Sequence, residues 1–154
     1  MNKKVHKKMY EQILEHTIIS AVDALLYHQG KILLCLQNQE PCKGQWWFSG
    51  GRQYKGETGE EAVIRKIKEE TGLDIEVKKL VGVYDIIFDK TAFKNVMSGV
   101  HYLARVFLVN PKNGLNKIKL DTSHTTFRWI GEIKDGLHDY IKTALLQSGV
   151  FEKK

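Results

Sequence analysis

The spacing of hydrophobic residues changes along the first part of the chain. Residues 9–16 carry apolar side chains near helical spacing, which predicts a short helix. Residues 17–27 are then rich in β-branched and aliphatic side chains, and residues 31–37 repeat this composition, so both segments are predicted strands. The polar segment 28–30 ends in a glycine and predicts a turn, so the two strands should form a hairpin.

The clearest helix is predicted at residues 58–71. Thr58 and Glu61 have the spacing of a capping box, in which the side chain of each residue accepts a hydrogen bond from the other residue's backbone N–H. Gly72 follows the last turn and favours the end of the helix there. The apolar face of this helix is predicted to consist of Val63, Ile64 and Ile67.

The rest of the chain contains both strand-like and helical patterns. The remaining predicted elements are a loop at 38–45, a short apolar stretch at 46–48, strands at 75–88, 101–109 and 125–130, and a final helix at 139–147. Gly82 is expected to break the first of these strands. We find no repeat, low-complexity tract or linker, so the pattern favours a single α/β domain over residues 1–154.

The length and composition bear on the number of domains, the cellular location and the state of the cysteines. With 154 residues, of which 42% are hydrophobic, the chain can bury one sizeable core. No apolar run approaches the roughly 18 residues that a membrane span needs. No secretory signal pattern follows Met1, so we expect a cytoplasmic protein. Cys35 and Cys42 have the spacing of neither a metal knuckle nor a redox pair, and we expect reduced thiols.

The formal net charge of +6 suits an anionic partner. Much of the excess lies in the lysines before Tyr10 and in Lys153 and Lys154, where a solvated tail is the simpler interpretation. No aromatic and basic pattern of a nucleic-acid-binding module accompanies these lysines. We therefore expect a small anionic molecule as the partner rather than a nucleic acid.

A cluster of carboxylates lies near the end of the predicted helix. Glu69 and Glu70 follow position 66 by three and four residues, so all three positions share one helical face. Hard oxygen ligands of this kind suit Mg²⁺ or Mn²⁺ bound to a diphosphate. Gly50 and Gly51 lack side chains, so the backbone there can present a carbonyl to a metal or an amide to phosphate. The alternative is a salt-bridged surface helix in which neighbouring basic residues balance both glutamates.

The segment 51–73 resembles the Nudix box, a glycine loop followed by an acidic helix. The matching positions are Gly51, Glu57, Arg65, Ile67, Glu69, Glu70, Gly72 and Leu73. The resemblance implies a Nudix-like α/β/α sandwich with a mixed β-sheet, and a hydrolase of a nucleoside diphosphate linked to another group. It also implies that Mg²⁺ or Mn²⁺ is held by the Gly50 carbonyl, Glu69 and Glu70.

One position of the box departs from the family. Lys66 stands where the usual box has a glutamate that binds metal or activates water. An ammonium does neither at neutral pH unless its pKa is strongly lowered. Either the protein binds without turnover, or its base comes from elsewhere and fewer metals are held. The box also implies that Glu57 pairs with Arg65 and so fixes the loop to the helix.

Several stretches outside the box carry a wider resemblance, namely residues 19–23, 44–52, 101–102, 121–124 and 127–129. They are similar to the GDP-mannose mannosyl hydrolase branch of the Nudix family, whose box also lacks that glutamate. The resemblance implies that His124 is the general base, that Arg52 contacts the diphosphate or the leaving sugar, and that Asp23 holds the sugar. It implies Glu70 with the Gly50 carbonyl as metal ligands, and a homodimer. Positions that depart from this branch are Gln37, Ser49 and Ser123.

Three functional hypotheses stay open at this point. The first is a nucleotide-sugar hydrolase with His124 as base, and the second is an ordinary pyrophosphohydrolase in which Glu69 or Glu70 replaces the missing glutamate. The third is a nucleotide- or RNA-binding module without turnover. Each site residue also has a structural alternative: His124 as a solvated turn residue, Asp23 as a buried hydrogen-bond acceptor, and Arg52 as part of a surface ion pair.

Overall fold

The computed structural model describes residues 5–152. Its elements, in chain order, are α1 (Lys7–His16), β1 (Ile19–His28), β2 (Lys31–Gln37), β3 (Trp46–Trp47), β4 (Ser49–Arg52), α2 (Gly59–Thr71), β5 (Ile75–Phe88), β6 (Val100–Pro111), β7 (His124–Ile130) and α3 (Asp139–Ser148). Of the lysines predicted to form solvated tails, Lys3, Lys4, Lys153 and Lys154 lie outside the described residues.

Strand β1 organises the sheet. It runs parallel to β6 over most of its length and antiparallel to the short strand β4 on its other side. The predicted hairpin of β1 and β2 forms, but only through the pairs Tyr27↔Ile32 and His28↔Lys31. Beyond them β2 pairs with β3 and β7 instead, while β5 pairs antiparallel with β6. The sheet is therefore mixed, as the sequence predicts.

Alternate residues of β1 face two different helices. Val22 and Leu26 lie in a buried cluster with the apolar face of α2, whereas Ala21 and Leu25 lie in a second cluster with α3. This alternation follows from the strand's period of two, which points successive side chains to opposite faces of the sheet. Both faces are thus covered by a helix, and the predicted α/β/α sandwich is confirmed.

Helix α2 begins and ends where the sequence predicts. The Thr58 side chain accepts a hydrogen bond from the Glu61 amide at 3.1 Å, and the Glu61 carboxylate accepts one from the Thr58 amide at 2.7 Å. Gly72 ends the helix in the left-handed conformation. Ile64, however, is 41% exposed, because the buried face is centred on Val63 and Ile67 and Ile64 lies beside it. The prediction that Ile64 faces the core is therefore wrong.

Two further sequence predictions are corrected. Strand β5 continues through Gly82, and the chain adjusts there by a register shift against β6 instead of breaking. The resemblance predicts a glycine loop before the helix, but Gly50 and Gly51 lie in strand β4, where Gly50 is paired with Asp23 of β1. Both corrections come from pairing with a distant strand, which local sequence does not reveal. No helix between residues 5 and 152 is long and apolar enough to cross a membrane.

Candidate active site

Strand β4 and helix α2 meet at the carboxylate of Glu70, which is buried. Oε1 of Glu70 accepts hydrogen bonds from Ser49 Oγ and from the Gly50 amide, each at 2.9 Å. Oε2 lies 3.9 Å from Lys66 Nζ and 3.8 Å from His124 Nε2. Burial raises the pKa of Glu70, and the Lys66 and His124 side chains act in the opposite direction. One oxygen therefore fixes the carboxylate to the strand, and the other is directed at the candidate site.

Gly50 and Gly51 allow this close approach. A Cβ atom at position 50 would lie 2.1 Å from Asp23 Oδ1 and 2.2 Å from the Val22 carbonyl oxygen. A Cβ atom at position 51 would lie 2.8 Å from Lys66 Cε. Gly50 is thus confined by the neighbouring strand, and Gly51 leaves the space through which the Lys66 side chain passes.

Arg65 connects the loop before α2 to the helix. Its Nη2 lies 2.7 Å from Glu57 Oε1, and its Nε donates to Glu57 Oε2 at 3.0 Å. Nη2 also donates to the backbone carbonyl of Arg52 at 3.0 Å. The predicted pairing of Glu57 with Arg65 is confirmed, and Arg65 additionally holds the end of β4.

The two adjacent glutamates occupy different environments. The Glu69 side chain is 46% exposed, with Oε1 3.2 Å from Arg65 Nη1 and Oε2 3.4 Å from Lys66 Nζ. Two cations, Arg65 and Lys66, already balance its charge. Glu70 is buried, and its Oε2 points toward His124. Of the two, Glu70 is therefore the better oriented for a ligand.

His124 begins strand β7 and is buried, with 2% of its side chain exposed. Its Nδ1 lies 3.0 Å from Asp121 Oδ1, and the Ser123 hydroxyl also lies beside the ring. The alternative of a solvated turn residue is therefore excluded by the structure. Asp121 forms a pair with His124 but was not among the predicted site residues. Both residues lie in the stretch 121–124 that carries the wider resemblance.

Glu70, Asp121 and His124 form a potential metal site. One ligand atom from each of the three lies within 4.8 Å of the other two. The set offers two carboxylate oxygens and one imidazole nitrogen, which suits a divalent cation. Burial of Glu70 and His124 keeps these donors in place, since their side chains are only 4% and 2% exposed.

Asp23 lies on the α3 side of β1. The carboxylate is buried, and Tyr140 Oη donates a hydrogen bond to its Oδ2 at 2.5 Å. Burial raises the pKa of Asp23 to about 7, while hydrogen bonds from Tyr140 and Trp47 partly offset the effect. Asp23 thus has structural partners, and it also borders the candidate site.

Arg52 ends strand β4 beside two aromatic rings. Its guanidinium carbon lies 5.0 Å from the centre of the Tyr10 ring and 5.2 Å from that of Tyr54. These contacts are cation–π interactions, in which the positive group lies over the negative face of the ring. They hold the Arg52 side chain at the border of the candidate site.

A cavity of about 230 Å³ brings most of the predicted site residues together. Its lining includes Asp23, Gly50, Arg52 and His124, along with the aromatic residues Tyr10, Trp47, Phe48, Phe88 and Tyr102. Glu70 lies behind this lining and touches it through Gly50 and His124. Asp23, Arg52 and His124 come from strands β1, β4 and β7, and the fold brings them to the same cavity.

Cys42 lines this cavity, whereas Cys35 lies in the core. Cys35 and Cys42 are free thiols, as the sequence predicts. Burial raises the pKa of both thiols to about 12, so neither is a thiolate at neutral pH.

Known proteins share this sequence pattern. A family model described as the NUDIX domain matches residues 17–132. The chain is 29% identical over 136 residues to the low-salt glycan biosynthesis protein Agl8 of Haloferax volcanii, which covers 88% of this chain and 85% of that protein. It is also 46% identical over 82 residues to an ADP-ribose pyrophosphatase of Methanocaldococcus jannaschii. That second match covers 53% of this chain and 47% of the pyrophosphatase, so it spans less than half of the relative.

The fold has similar solved structures as well. A crystal structure of a MutT NUDIX hydrolase from Burkholderia pseudomallei has a TM-score of 0.72 and 26% sequence identity, covering 86% of this chain and 98% of that chain. The family model extends from the start of β1 to just beyond β7, and so includes the whole glycine-and-glutamate segment. The chain therefore belongs to the NUDIX family of hydrolases.

Proposed function

We propose that this Nudix hydrolase cleaves a nucleoside diphosphate sugar, with His124 as the general base. The observation that carries this proposal is the position of His124, which is buried, paired with Asp121 and part of the same cavity lining as Asp23 and Arg52. The box position that usually supplies a carboxylate holds Lys66, whose ammonium has no lone pair for a proton. The proposal therefore takes the base from outside helix α2.

The geometry supports a defined tautomer of His124. A proton on Nδ1 donates to Asp121 Oδ1, which leaves Nε2 with the lone pair that accepts a proton. Water attacks the anomeric carbon of the sugar and transfers a proton to Nε2. The bond from that carbon to the phosphate oxygen breaks, and its electron pair leaves with the nucleoside diphosphate.

The same residues fit a divalent cation, Mg²⁺ or Mn²⁺. Glu70 Oε2 and the Gly50 carbonyl would hold it, and the carboxylate of Asp121 is close enough to contribute. The buried carboxylate of Glu70 supports this assignment, because burying a charge is costly unless a cation or hydrogen bonds compensate it. Glu69 would join only after its ion pairs with Arg65 and Lys66 are broken. When bound, the ion neutralises and orients the diphosphate.

Asp23 and Arg52 supply the remaining recognition. Arg52 offers a planar group with several N–H donors that suits phosphate oxygens. Asp23 presents a carboxylate at the cavity border that can accept hydrogen bonds from sugar hydroxyl groups. The name of the Haloferax relative refers to glycan biosynthesis, which agrees with a sugar-containing substrate.

A second candidate is ordinary pyrophosphate cleavage. It is favoured by the similarity to an ADP-ribose pyrophosphatase. In that reaction water attacks phosphorus, and Glu69 or Glu70 would take the place of the missing base. The two reactions differ in which bond breaks, so isotope labelling separates them.

The decisive experiment is hydrolysis in ¹⁸O-water with Mg²⁺ or Mn²⁺. A panel of nucleoside diphosphate sugars and dinucleotides is incubated with the enzyme, and the products are analysed by mass spectrometry. We expect ¹⁸O in the free sugar and none in the phosphate groups. Label confined to phosphate would exclude attack at carbon and favour the second candidate.

Two other sequence predictions stay predictions. The homodimer rests on the resemblance alone, and the cytoplasmic location rests on the sequence alone. Size-exclusion chromatography with light scattering tests the first of them.

A further inference from the structure

Tyr140, in the first turn of helix α3, reaches the candidate site through Asp23. Its hydroxyl donates a hydrogen bond of 2.5 Å to Oδ2 of Asp23. Both residues are buried. Asp23 lines the cavity, whereas Tyr140 does not. A polar effect of Tyr140 on a bound molecule therefore passes through the carboxylate of Asp23.

The position of this hydroxyl is fixed by aromatic packing. The Tyr140 ring lies edge-on to Phe48, with the ring centres 6.0 Å apart, and to Tyr84, with the centres 5.4 Å apart. Trp47 packs against the same ring with a centre-to-centre distance of 5.3 Å. These three residues come from β3, from β5 and from the position between β3 and β4. Because aromatic contacts of this kind favour particular ring orientations, the hydroxyl stays directed at Asp23.

The two oxygens of Asp23 have different surroundings. Oδ2 accepts the hydrogen bond from Tyr140, and Trp47 donates a further hydrogen bond to the carboxylate. Oδ1 lies against Gly50, where a Cβ atom would be 2.1 Å away. Gly50 also lines the cavity, and its carbonyl is a proposed metal ligand. Oδ1 is therefore the oxygen that borders strand β4, next to the place proposed for the diphosphate.

We propose that Tyr140 is a positioning residue for substrate recognition, whose hydroxyl holds Oδ2 of Asp23 so that Oδ1 can accept hydrogen bonds from the sugar hydroxyl groups. A carboxylate rotates about its last side-chain bond unless its surroundings fix it. Fixing one oxygen in the free protein removes this freedom before the substrate binds, so less binding free energy is lost on ordering the site. The inference rests on the proposed function, because both assign the sugar to Asp23.

The test is a double-mutant cycle of Tyr140→Phe and Asp23→Ala in the full chain, with the nucleoside diphosphate sugar of the panel that is hydrolysed fastest. We expect Tyr140→Phe to lower kcat/KM about tenfold, mainly by raising KM. The inhibition constant of the nucleoside diphosphate product should stay unchanged, because that product lacks the sugar. In the Asp23→Ala background the loss should vanish, because the hydroxyl then has no carboxylate to hold.

The assays are run at about pH 9, because burial raises the pKa of Asp23 to about 7 and the carboxylate is ionised above that value. The matched control is Tyr84→Phe. The Tyr84 hydroxyl donates to Gln147 and not to Asp23, and Tyr84 does not line the cavity. The substitution removes the same group from the same aromatic cluster, so kcat/KM should stay at the wild-type value.

Three results would overturn the proposal: an unchanged kcat/KM in Tyr140→Phe, an equal loss in Tyr84→Phe, or an undiminished loss in the Asp23→Ala background. A wild-type kcat/KM in Asp23→Ala would overturn it together with the proposed role of Asp23. The ¹⁸O experiment is separate, because it tests which bond breaks. With label in the sugar and a loss of activity in Asp23→Ala, a failed cycle concerns Tyr140 alone.

Discussion

At the scale of single residues, the orientation of His124 depends on its contact with Asp121. We expect His124→Ala to lower kcat by about 100- to 10,000-fold, as is typical for the loss of a general base. Added imidazole should restore part of the activity, because the truncated side chain leaves space in the cavity. The measurement is steady-state kinetics with and without imidazole.

The chain offers a control for this substitution in a second Asp–His pair. Nε2 of His101, on strand β6, lies 2.7 Å from Oδ1 of Asp85, on strand β5. Neither residue lines the cavity. His101→Ala should leave kcat unchanged. An unaffected rate in His124→Ala, or an equal loss in His101→Ala, would exclude His124 as the base.

Asp121 gives a separate prediction, because it acts through the ring of His124. Asp121→Asn should lower kcat at least about tenfold, since the amide no longer fixes the Nδ1–H tautomer. The measurement is kcat and KM for the same substrate, and kcat should change more than KM. A change in KM alone would mean that Asp121 only shapes the cavity.

Ser49 holds the carboxylate of Glu70 in place. Its hydroxyl donates to Glu70 Oε1, and the Gly50 amide donates to the same atom. Ser49→Ala removes one of these hydrogen bonds, so we expect the Mn²⁺ affinity to fall about tenfold, as is typical for partners of metal ligands. The free energy of unfolding should fall by about 1 kcal/mol.

Calorimetric titration and urea unfolding measure these two effects of Ser49→Ala. Ser148→Ala is the control, since Ser148 is also buried and its hydroxyl donates to the Leu145 carbonyl on helix α3. It should lose similar stability with unchanged Mn²⁺ affinity. Equal losses of affinity in both variants would show that the effect is a general loosening of the fold.

At the scale of elements, the unit of strand β4, the following loop and helix α2 is held together by Arg65. Its guanidinium bonds Glu57 and the Arg52 carbonyl. Arg65→Lys keeps the charge but loses the planar fork that reaches several acceptors at once. We expect KM for the diphosphate substrate to rise about tenfold with a smaller change in kcat, because Arg52 is no longer held in position.

A matched control exists in the same helix. Thr58→Ala removes the side-chain oxygen that accepts the capping hydrogen bond from the Glu61 amide, and it should cost about 1 kcal/mol of stability without touching Arg52. Its KM should equal that of the wild type. If Thr58→Ala raises KM as much as Arg65→Lys does, then helix stability and not the position of Arg52 controls binding.

The elements also show which features the sequence can predict. Helix α2 was predicted with its caps because Thr58, Glu61 and Gly72 act on neighbouring backbone groups. The pairing of β4 with β1, and the departure of β2 from its hairpin, depend on strands far apart in the chain. Asp121 was missed for a related reason, since its importance comes from the distance to Glu70 and not from its own sequence neighbours.

At the scale of the whole molecule, the site lies across the central sheet. Glu70 belongs to the helix on one face, whereas Asp23 points toward α3 on the other, where Tyr140 donates to it. Gly50 of strand β4 lies between them and contacts both. The carboxylate of Asp23 is buried in the interior between β1 and α3. Its protonation therefore affects the stability of the entire fold as well as binding.

Asp23 therefore makes stability depend on pH. Burial raises its pKa from 3.8 to about 7, so the folded protein holds a proton that the unfolded chain releases between these values. The contribution of Asp23 to stability is fully present below about pH 4, is lost as pH rises toward 7, and changes little above that. The full shift corresponds to at most about 4 kcal/mol, at about 1.4 kcal/mol for each pKa unit.

The substitution Asp23→Asn removes this titration while its amide oxygen can still accept the hydrogen bond from Tyr140. Its unfolding free energy, measured by urea denaturation with a chelator present, should rise relative to the wild type as pH increases from 5 to 8. Asp89→Asn, at an exposed position after β5, makes the same change in charge and should show a constant difference from the wild type. If the Asp23→Asn difference is also constant with pH, the carboxylate is ionised throughout this range, and burial does not control its protonation.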